Sequence, residues 1–268
     1  MGPLVSIVMP TYNAELFIAD AINSVLAQTY PNWELLIVND GSTDGTAAII
    51  ERYRHPRIRV FHQANTGIGG ARNLALDHAQ GTLLCTLDSD DVLPPESLGL
   101  RVDVMLREPG VDIVDGMVMV MDRGLTKVLR IFRPSFTGDP HPELVALRST
   151  CFFGPSWMLR WDPTTTLRFS TEVTHAEDLL FYLQYGKGKR YVSIDDAVLI
   201  YRVTGFSAMS RLDGLERSYR VIAAKLSHDR GLATPEQARQ FNRKWRSIMF
   251  RTWLKARKPW AALRSLLR

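Results

Sequence analysis

Short apolar runs alternate with amphipathic segments through residues 1–93. Residues 4–9 form a compact β-rich run, closed by Pro10-Thr11-Tyr12-Asn13. Over 14–28, Leu16, Phe17, Ala21, Val25 and Leu26 recur at helical spacing. The alternation continues with a strand over 33–38, a helix over 44–53, a strand over 58–61, a helix over 67–79 and a strand over 82–87. Strands about 25 residues apart with helices between them predict right-handed βαβ crossovers and a parallel sheet covered on both faces. Nearly every strand-to-helix junction carries Asp, Asn, Thr or Gly. Ligands of open α/β sheets sit outside the carboxyl ends of the strands.

The pattern over 95–200 is less regular. It predicts a helix over 95–107, a strand over 111–121, a return strand over 125–132, and a loop over 134–142 containing three prolines. A helix over 175–185 contains Glu177-Asp178, and strands follow over 190–194 and 197–201. After Gly205 the pattern is helical, broken at Pro235 and Pro259.

Composition changes this picture little: 46% apolar and 23% charged residues exclude disorder and low-complexity architectures. Cys85 and Cys151 lie in apolar stretches and read as buried thiols of a reducing compartment. No stretch reaches the ~18 apolar residues needed to span a bilayer. The first twelve residues lack a basic n-region and a cleavage site. Gly2 with Ser6 fits a loose myristoylation pattern, which Pro3 and the immediate strand make coincidental.

Charge matters through its position. The chain is +5 overall, with 33 basic and 28 acidic residues, yet residues 239–268 carry ten Lys/Arg and no Asp/Glu. Without that tail, 23 basic residues face 28 acidic ones, so the body is about −5 and only the tail is basic. Nucleic acid is therefore not an expected partner.

The sharpest chemical signal is Asp88-Ser89-Asp90-Asp91, directly after the 82–87 strand. In extended backbone, Asp88 and Asp90 point the same way. Two hard carboxylates suit Mg²⁺ or Mn²⁺ bound together with substrate phosphates. The competing reading is an acidic turn that caps the next helix. Asp40, at the end of the 33–38 run, can accept hydrogen bonds from a base or ribose, and Gly41 permits close backbone approach. Ser42, Thr43 or Asp44 equally reads as a helix N-cap. Asn65-Thr66-Gly67-Ile68-Gly69-Gly70-Ala71-Arg72-Asn73 matches neither the dinucleotide nor the P-loop fingerprint, although glycines at a helix start can admit an anion.

Together these residues resemble family 2 inverting glycosyltransferases. The match runs from Val5 to Pro94 through Ser6-Ile7-Val8-Met9-Pro10-Thr11-Tyr12-Asn13, Val38-Asn39-Asp40-Gly41-Ser42-Thr43-Asp44, Asn65-x-Gly67…Ala71-Arg72-Asn73 and Asp88-Ser89-Asp90-Asp91, in order and in register. The resemblance implies a GT-A fold: a Rossmann-like, mostly parallel α/β sheet flanked by helices, here with a helical C-terminal extension. On this basis residues 1–93 would be the nucleotide-sugar-binding half of the catalytic domain, 94–208 its acceptor-binding half, and 209–268 the extension. Pro10, Thr11 and Tyr12 would line the nucleotide pocket and Asp40 would bind the base. Arg72 would lie near base or diphosphate, Asp88 would contact ribose or metal, and Asp90 would hold Mg²⁺ or Mn²⁺. Asp178, second of the acidic pair, would be the base that inversion requires, with Glu177, His175 and Glu172 as acceptor-side candidates. Without the family match, Glu177-Asp178 reads as an acidic helix N-terminus favoured by the dipole.

Tyr201-Arg202-Val203-Thr204-Gly205-Phe206-Ser207 resembles the family's closing loop, which makes Arg202 the expected diphosphate contact; Thr204 stands where the family often has His. Leu167-Arg168-Phe169-Ser170-Thr171-Glu172 replaces the common Gly-x-Phe-Asp-Glu stretch, so the acceptor is not carried over from relatives. The resemblance implies a metal-dependent transferase using a nucleoside-diphosphate sugar, a UDP-sugar by expectation, and a carbohydrate or lipid-linked acceptor, in cell-surface polysaccharide, lipopolysaccharide or glycoconjugate synthesis. A sugar-phosphate nucleotidyltransferase is the alternative enzyme class, but it would need a Gly-rich basic loop where Pro10-Thr11-Tyr12-Asn13 stands. A non-catalytic nucleotide-sugar-binding protein is the third reading.

In the tail, Phe241, Trp245, Ile248, Met249, Trp253 and Ala256 share one helical face and Arg243, Lys244, Arg246, Arg251, Lys255, Arg257 and Lys258 the other. Trp260, Leu263, Leu266 and Leu267 continue after Pro259. Two readings stand: a helix docked on the catalytic domain, and an interfacial helix over 239–268 on anionic lipid, which would place a cytoplasmic protein peripherally on the membrane. Gln240-Phe241-Asn242-Arg243-Lys244-Trp245 has one residue too many for the Gln-x-x-Arg-Trp motif of processive synthases, so single addition is expected.

Overall fold

The computed structural model describes residues 2–205 and 211–267. Strands β1 (Val5–Thr11), β2 (Trp33–Asp40), β3 (Ile58–Gln63) and β4 (Leu83–Thr86) are joined by helices α1 (Ile18–Leu26), α2 (Thr46–Ile50) and α3 (Ile68–Leu76). They pair in parallel in the order β3-β2-β1-β4. Each of these strands except β3 is buried along its whole length, as strands covered on both faces must be.

Alternation along the strands feeds two cores. Val5, Ile7, Met9, Leu35, Ile37, Leu83 and Cys85 face one core with α1 and α4 (Ser97–Arg107). Val8, Leu36, Val38 and Leu84 face the other, with α3. That second core also receives α5 (His141–Val145), α6 (Glu177–Tyr185), α7 (Leu212–His228), α8 (Pro235–Lys255) and α9 (Pro259–Leu267).

The sheet continues unbroken across residue 93 through β7 (Met158–Arg160), β5 (Ile113–Met121) and β6 (Val128–Phe132), with β8 (Tyr191–Arg202) pairing parallel to β5. β7 is antiparallel to β4 and to β5, and β6 is antiparallel to β5, so the second half of the sheet is mixed. Three features differ from the sequence expectations. β8 is one strand of 12 residues rather than two, because bulges opposite Asp115 and Met117 absorb the polar Asp195-Asp196 interruption. Part of the proline loop is α5, with Pro142 in the first turn, where its missing N–H costs nothing. β7 is too short to leave a periodic signal.

The tail helix is docked. Phe241, Trp245, Met249 and Trp253 are essentially fully buried in the second core, and Trp253 Nε1 donates to Glu216 at 2.7 Å. Trp245 and Trp253 are therefore unavailable to a membrane, which corrects the interfacial reading for α8. Thr234 and Gln237 close a capping box at its start.

Candidate functional site

The carboxyl ends of β1, β2 and β4 bring the predicted segments together. Pro10 and Thr11 end β1, and Tyr12 follows, half-exposed. Thr11 Oγ1 is buried without a hydrogen-bond partner among the described residues, an unmet polar group at the mouth of the sheet. Asn13, at φ 49°, stitches this loop to the next: its Oδ1 accepts from Thr43 N at 2.8 Å and its N donates to Ser42 Oγ at 3.0 Å.

Asp40 holds the β3–α3 loop. Its Oδ1 accepts from Gln63 Nε2 (2.6 Å) and Thr66 N (2.9 Å), and its Oδ2 from Gly67 N (2.9 Å). Asp40 is itself buried, at 2% exposure, and both its oxygens are engaged with this loop. Gly41 is obligatory here: at φ +74° a Cβ would stand 2.9 Å from Asn65 N. The glycines of α3 serve packing. A Cβ on Gly69 would meet the Ser170 carbonyl oxygen at 2.6 Å, and Asn73 exchanges two hydrogen bonds with the Phe169 backbone. These contacts seat the atypical 167–172 stretch on α3.

Arg72 is the centre of the site. It is 1% exposed and spans two distant segments: Nη2 donates to Asp88 Oδ1 at 2.8 Å and Nη1 to Glu177 Oε1 at 2.6 Å. Burial disfavours its charge, but the carboxylates of Asp88, Glu177 and Asp178 outweigh this and raise its pKa. Its guanidinium also lies 5.1 Å from the centre of the Phe169 ring.

In the acidic loop, burial and the neighbouring charge of Asp88 push Asp90 up to about 6. Asp91, fully buried, is held well above the ordinary carboxylate range by burial and by Asp90 and Asp88, and its Oδ1 accepts from Arg202 N at 2.9 Å. Arg202 departs from its expected role. Its Nε donates to the Asp90 carbonyl, its Nη1 to the Arg123 carbonyl and its Nη2 to Asp20 Oδ2, all at 2.7–2.8 Å. Its guanidinium therefore braces the acidic loop against β8 and α1 and does not stand open to a diphosphate. Asp20, which sequence reasoning missed, has no motif to mark it. Phe206 and Ser207 of the closing loop lie outside the described residues.

The acidic pair opens α6 behind Ala176, a non-glycine residue held at φ 55°. Such strain persists only where surrounding contacts impose it, and the Arg72–Glu177 bond is one of them. Glu177 is buried; Asp178 is partly exposed, with Gly154 beside it at ordinary contact distance. Burial, then the Glu177 charge, push Asp178 up to about 7, while Arg72 pulls it down. His175 packs under α7, where a Cβ on Gly214 would clash with its ring. Glu172 is exposed beside Lys225 (3.5 Å). Neither is joined to Arg72.

Among the described residues no three His, Cys, Asp or Glu side chains converge on a metal position. Asp88 and Asp90 nevertheless fit a divalent cation in kind: they supply two hard oxygens whose mutual repulsion a cation would relieve, leaving further ligands to water and phosphate.

The profile described as "Glycosyl transferase family 2" matches residues 6–161. UDP-Glc:alpha-D-GlcNAc-diphosphoundecaprenol beta-1,3-glucosyltransferase WfgD of Escherichia coli is 44% identical over 105 residues, 39% of this chain and 42% of its own length. The chain spans 42% of the length of each of the first two curated relatives it matches. Staphylococcus aureus TarS 1–349 in complex with UDP-GlcNAc superimposes with TM-score 0.71 at 22% identity, covering 90% of this chain and 71% of that one. The mannosyltransferase PcManGT of Pyrobaculum calidifontis, in complex with GDP-Man and Mn²⁺, gives TM-score 0.64 at 23% identity over 99% of this chain and 74% of that one. These likenesses bear out the expected GT-A architecture.

Proposed function

The chain belongs to glycosyl transferase family 2, and we propose that it moves a single sugar from a nucleoside-diphosphate sugar, a UDP-sugar, to a hydroxyl acceptor with inversion, in cell-surface polysaccharide synthesis. The observation that carries this reading is Arg72, which joins a donor-side carboxylate, Asp88, to the acidic pair that would face the acceptor. Asp178 takes the proton of the acceptor hydroxyl as that oxygen bonds to the sugar's anomeric carbon. The bond from that carbon to the diphosphate oxygen breaks, and the nucleoside diphosphate leaves with the electron pair. A carboxylate poised near pH 7 is matched to this task.

Asp88 and Asp90 would hold Mg²⁺ or Mn²⁺, which when bound neutralises charge on the leaving diphosphate. The UDP-Glc in the name of the E. coli relative and the UDP-GlcNAc bound to TarS support a uridine nucleotide. The GDP-Man and Mn²⁺ of the archaeal structure support a cation and make guanosine the alternative.

With Mn²⁺ present, a UDP-sugar is expected to raise the thermal midpoint by several degrees, because a ligand of the native state alone stabilises it. Chelator, or Asp90→Ala, is expected to remove the shift. A shift unchanged in chelator would overturn the cation assignment, and a shift with only GDP- or dTDP-sugars would overturn the uridine one.

A further inference from the structure

α9 turns Trp260, Leu263 and Leu266 outward. Its inner face consists of small residues, with Ala262 and Ser265 fully buried in the packing with α8. Trp260 is 83% exposed, and Leu263 and Leu266 are also exposed. Leu254, in the last turn of α8, is exposed as well. This is a second apolar set, separate from the Phe241, Trp245, Met249 and Trp253 face that docks α8. Scattered exposed apolar residues need no explanation, but a cluster of this kind marks an interaction surface.

Exposed cations flank this set along the chain, and Arg264 within α9 faces Asp213 of α7 at 3.8 Å. Arg251, Lys255, Arg257 and Lys258 are all exposed, and residues 239–268 contain no acidic side chain. Lys258 also reaches over the Trp253 ring, 5.3 Å from its centre, at the start of the turn into α9. A second copy of this corner would set like charge against like. A surface rich in negative phosphate over hydrocarbon complements both features at once.

We infer that the α8–α9 corner docks on an anionic lipid surface, with Trp260 and Leu263 entering the headgroup layer and the flanking cations meeting lipid phosphates. The contact uses only the end of the tail, because α8 itself is committed to the core. An acceptor held in that membrane would then be met by an enzyme already at the surface.

Trp260 supplies its own reporter. Trp33, Trp157, Trp161, Trp245 and Trp253 are buried, so of the six tryptophans only Trp260 can respond to a surface contact. Adding vesicles of phosphatidylcholine with phosphatidylglycerol to the full chain is expected to shift its emission to the blue and to sediment the protein. Phosphatidylcholine alone is expected to do neither. Trp260→Phe should lose the spectral shift while most sedimentation remains. Lys255→Gln/Arg257→Gln/Lys258→Gln, all at exposed positions, should weaken sedimentation by about tenfold or more, as should raised salt.

Donor-induced thermal shift, measured in the same samples, separates loss of lipid contact from loss of donor binding. Equal sedimentation with phosphatidylcholine alone, sedimentation unchanged in the triple variant, or no spectral shift would overturn the inference. A concentration-dependent dimer of the wild type, lost in Trp260→Ser/Leu263→Ser, would assign the surface to a second copy and overturn it as well.

Discussion

Asp178→Asn is expected to bind donor as the wild type does and to transfer sugar about 10²–10⁴-fold more slowly, the usual worth of a general base. The amide keeps the size and the half-buried place of the carboxyl but cannot take a proton. Asp178 is raised to about 7 by burial and by Glu177, so wild-type transfer should follow its ionised fraction, rising with pH up to about 7 and levelling above it. The Asn variant should lose that limb. Stability is expected to move oppositely. A carboxyl whose pKa rises on folding contributes stability that is fully present below its unfolded value, near ~4, and lost as pH rises through the folded one. At pH 8 the wild type carries this unfavourable charge and the variant does not, so the variant should melt at or above the wild-type temperature. A variant that is both slow and unfolded would point to a structural role for Asp178 instead.

Arg72→Met should damage both stability and turnover, and the two losses separate. Arg72 is buried between Asp88 and Glu177, and removing one partner of a buried ion pair costs about 3–5 kcal/mol because the remaining charge is stranded. For a chain of this size that lowers the thermal midpoint by roughly 6–20 °C. Adding Glu177→Gln removes one of the two stranded charges and should recover part of the midpoint. Transfer should stay low in the double variant, because the link between the donor-side loop and α6 is gone. Arg72 also pulls the Asp178 pKa down, so residual activity in Arg72→Met should reach its plateau at higher pH than in the wild type. Recovery of transfer together with stability would show that Arg72 serves folding alone.

The parallel half of the sheet was legible because its strands carry apolar residues on both faces and end abruptly in polar ones. β1 to β4 and the helices between them follow the predicted order; the helices and β4 are shorter than predicted, while β1, β2 and β3 run two residues further at their carboxyl ends. The mixed half was less legible for local reasons. β7 has three residues, fewer than any period needs, and α5 hides its start behind Pro140 and Pro142. Asp195 and Asp196 look like a break between two strands until bulges opposite them let one strand run through.

At the site, residue types were readable and contacts were not. Arg72, Asp88, Glu177 and Asp178 each stood in a recognisable motif, yet the Arg72–Glu177 bond joins positions 105 residues apart that no spacing links. Arg202 shows the reverse: a motif marks it as a diphosphate contact, while three oxygen acceptors from distant segments hold its guanidinium as a brace. In the tail, periodicity showed an apolar face on α8 but not which surface covers it. Burial of Trp245 and Trp253 assigns that face to the core.

A single displacement is read in the stereochemistry of transfer. With the UDP-sugar that raises the melting temperature, Mn²⁺ and a hydroxyl acceptor, the anomeric proton coupling of the product is read by NMR. An α-linked donor sugar is expected to appear β-linked in the product, with one equivalent of UDP released. An α-linked product, or UDP release with no sugar on the acceptor, would contradict a single displacement driven by Asp178.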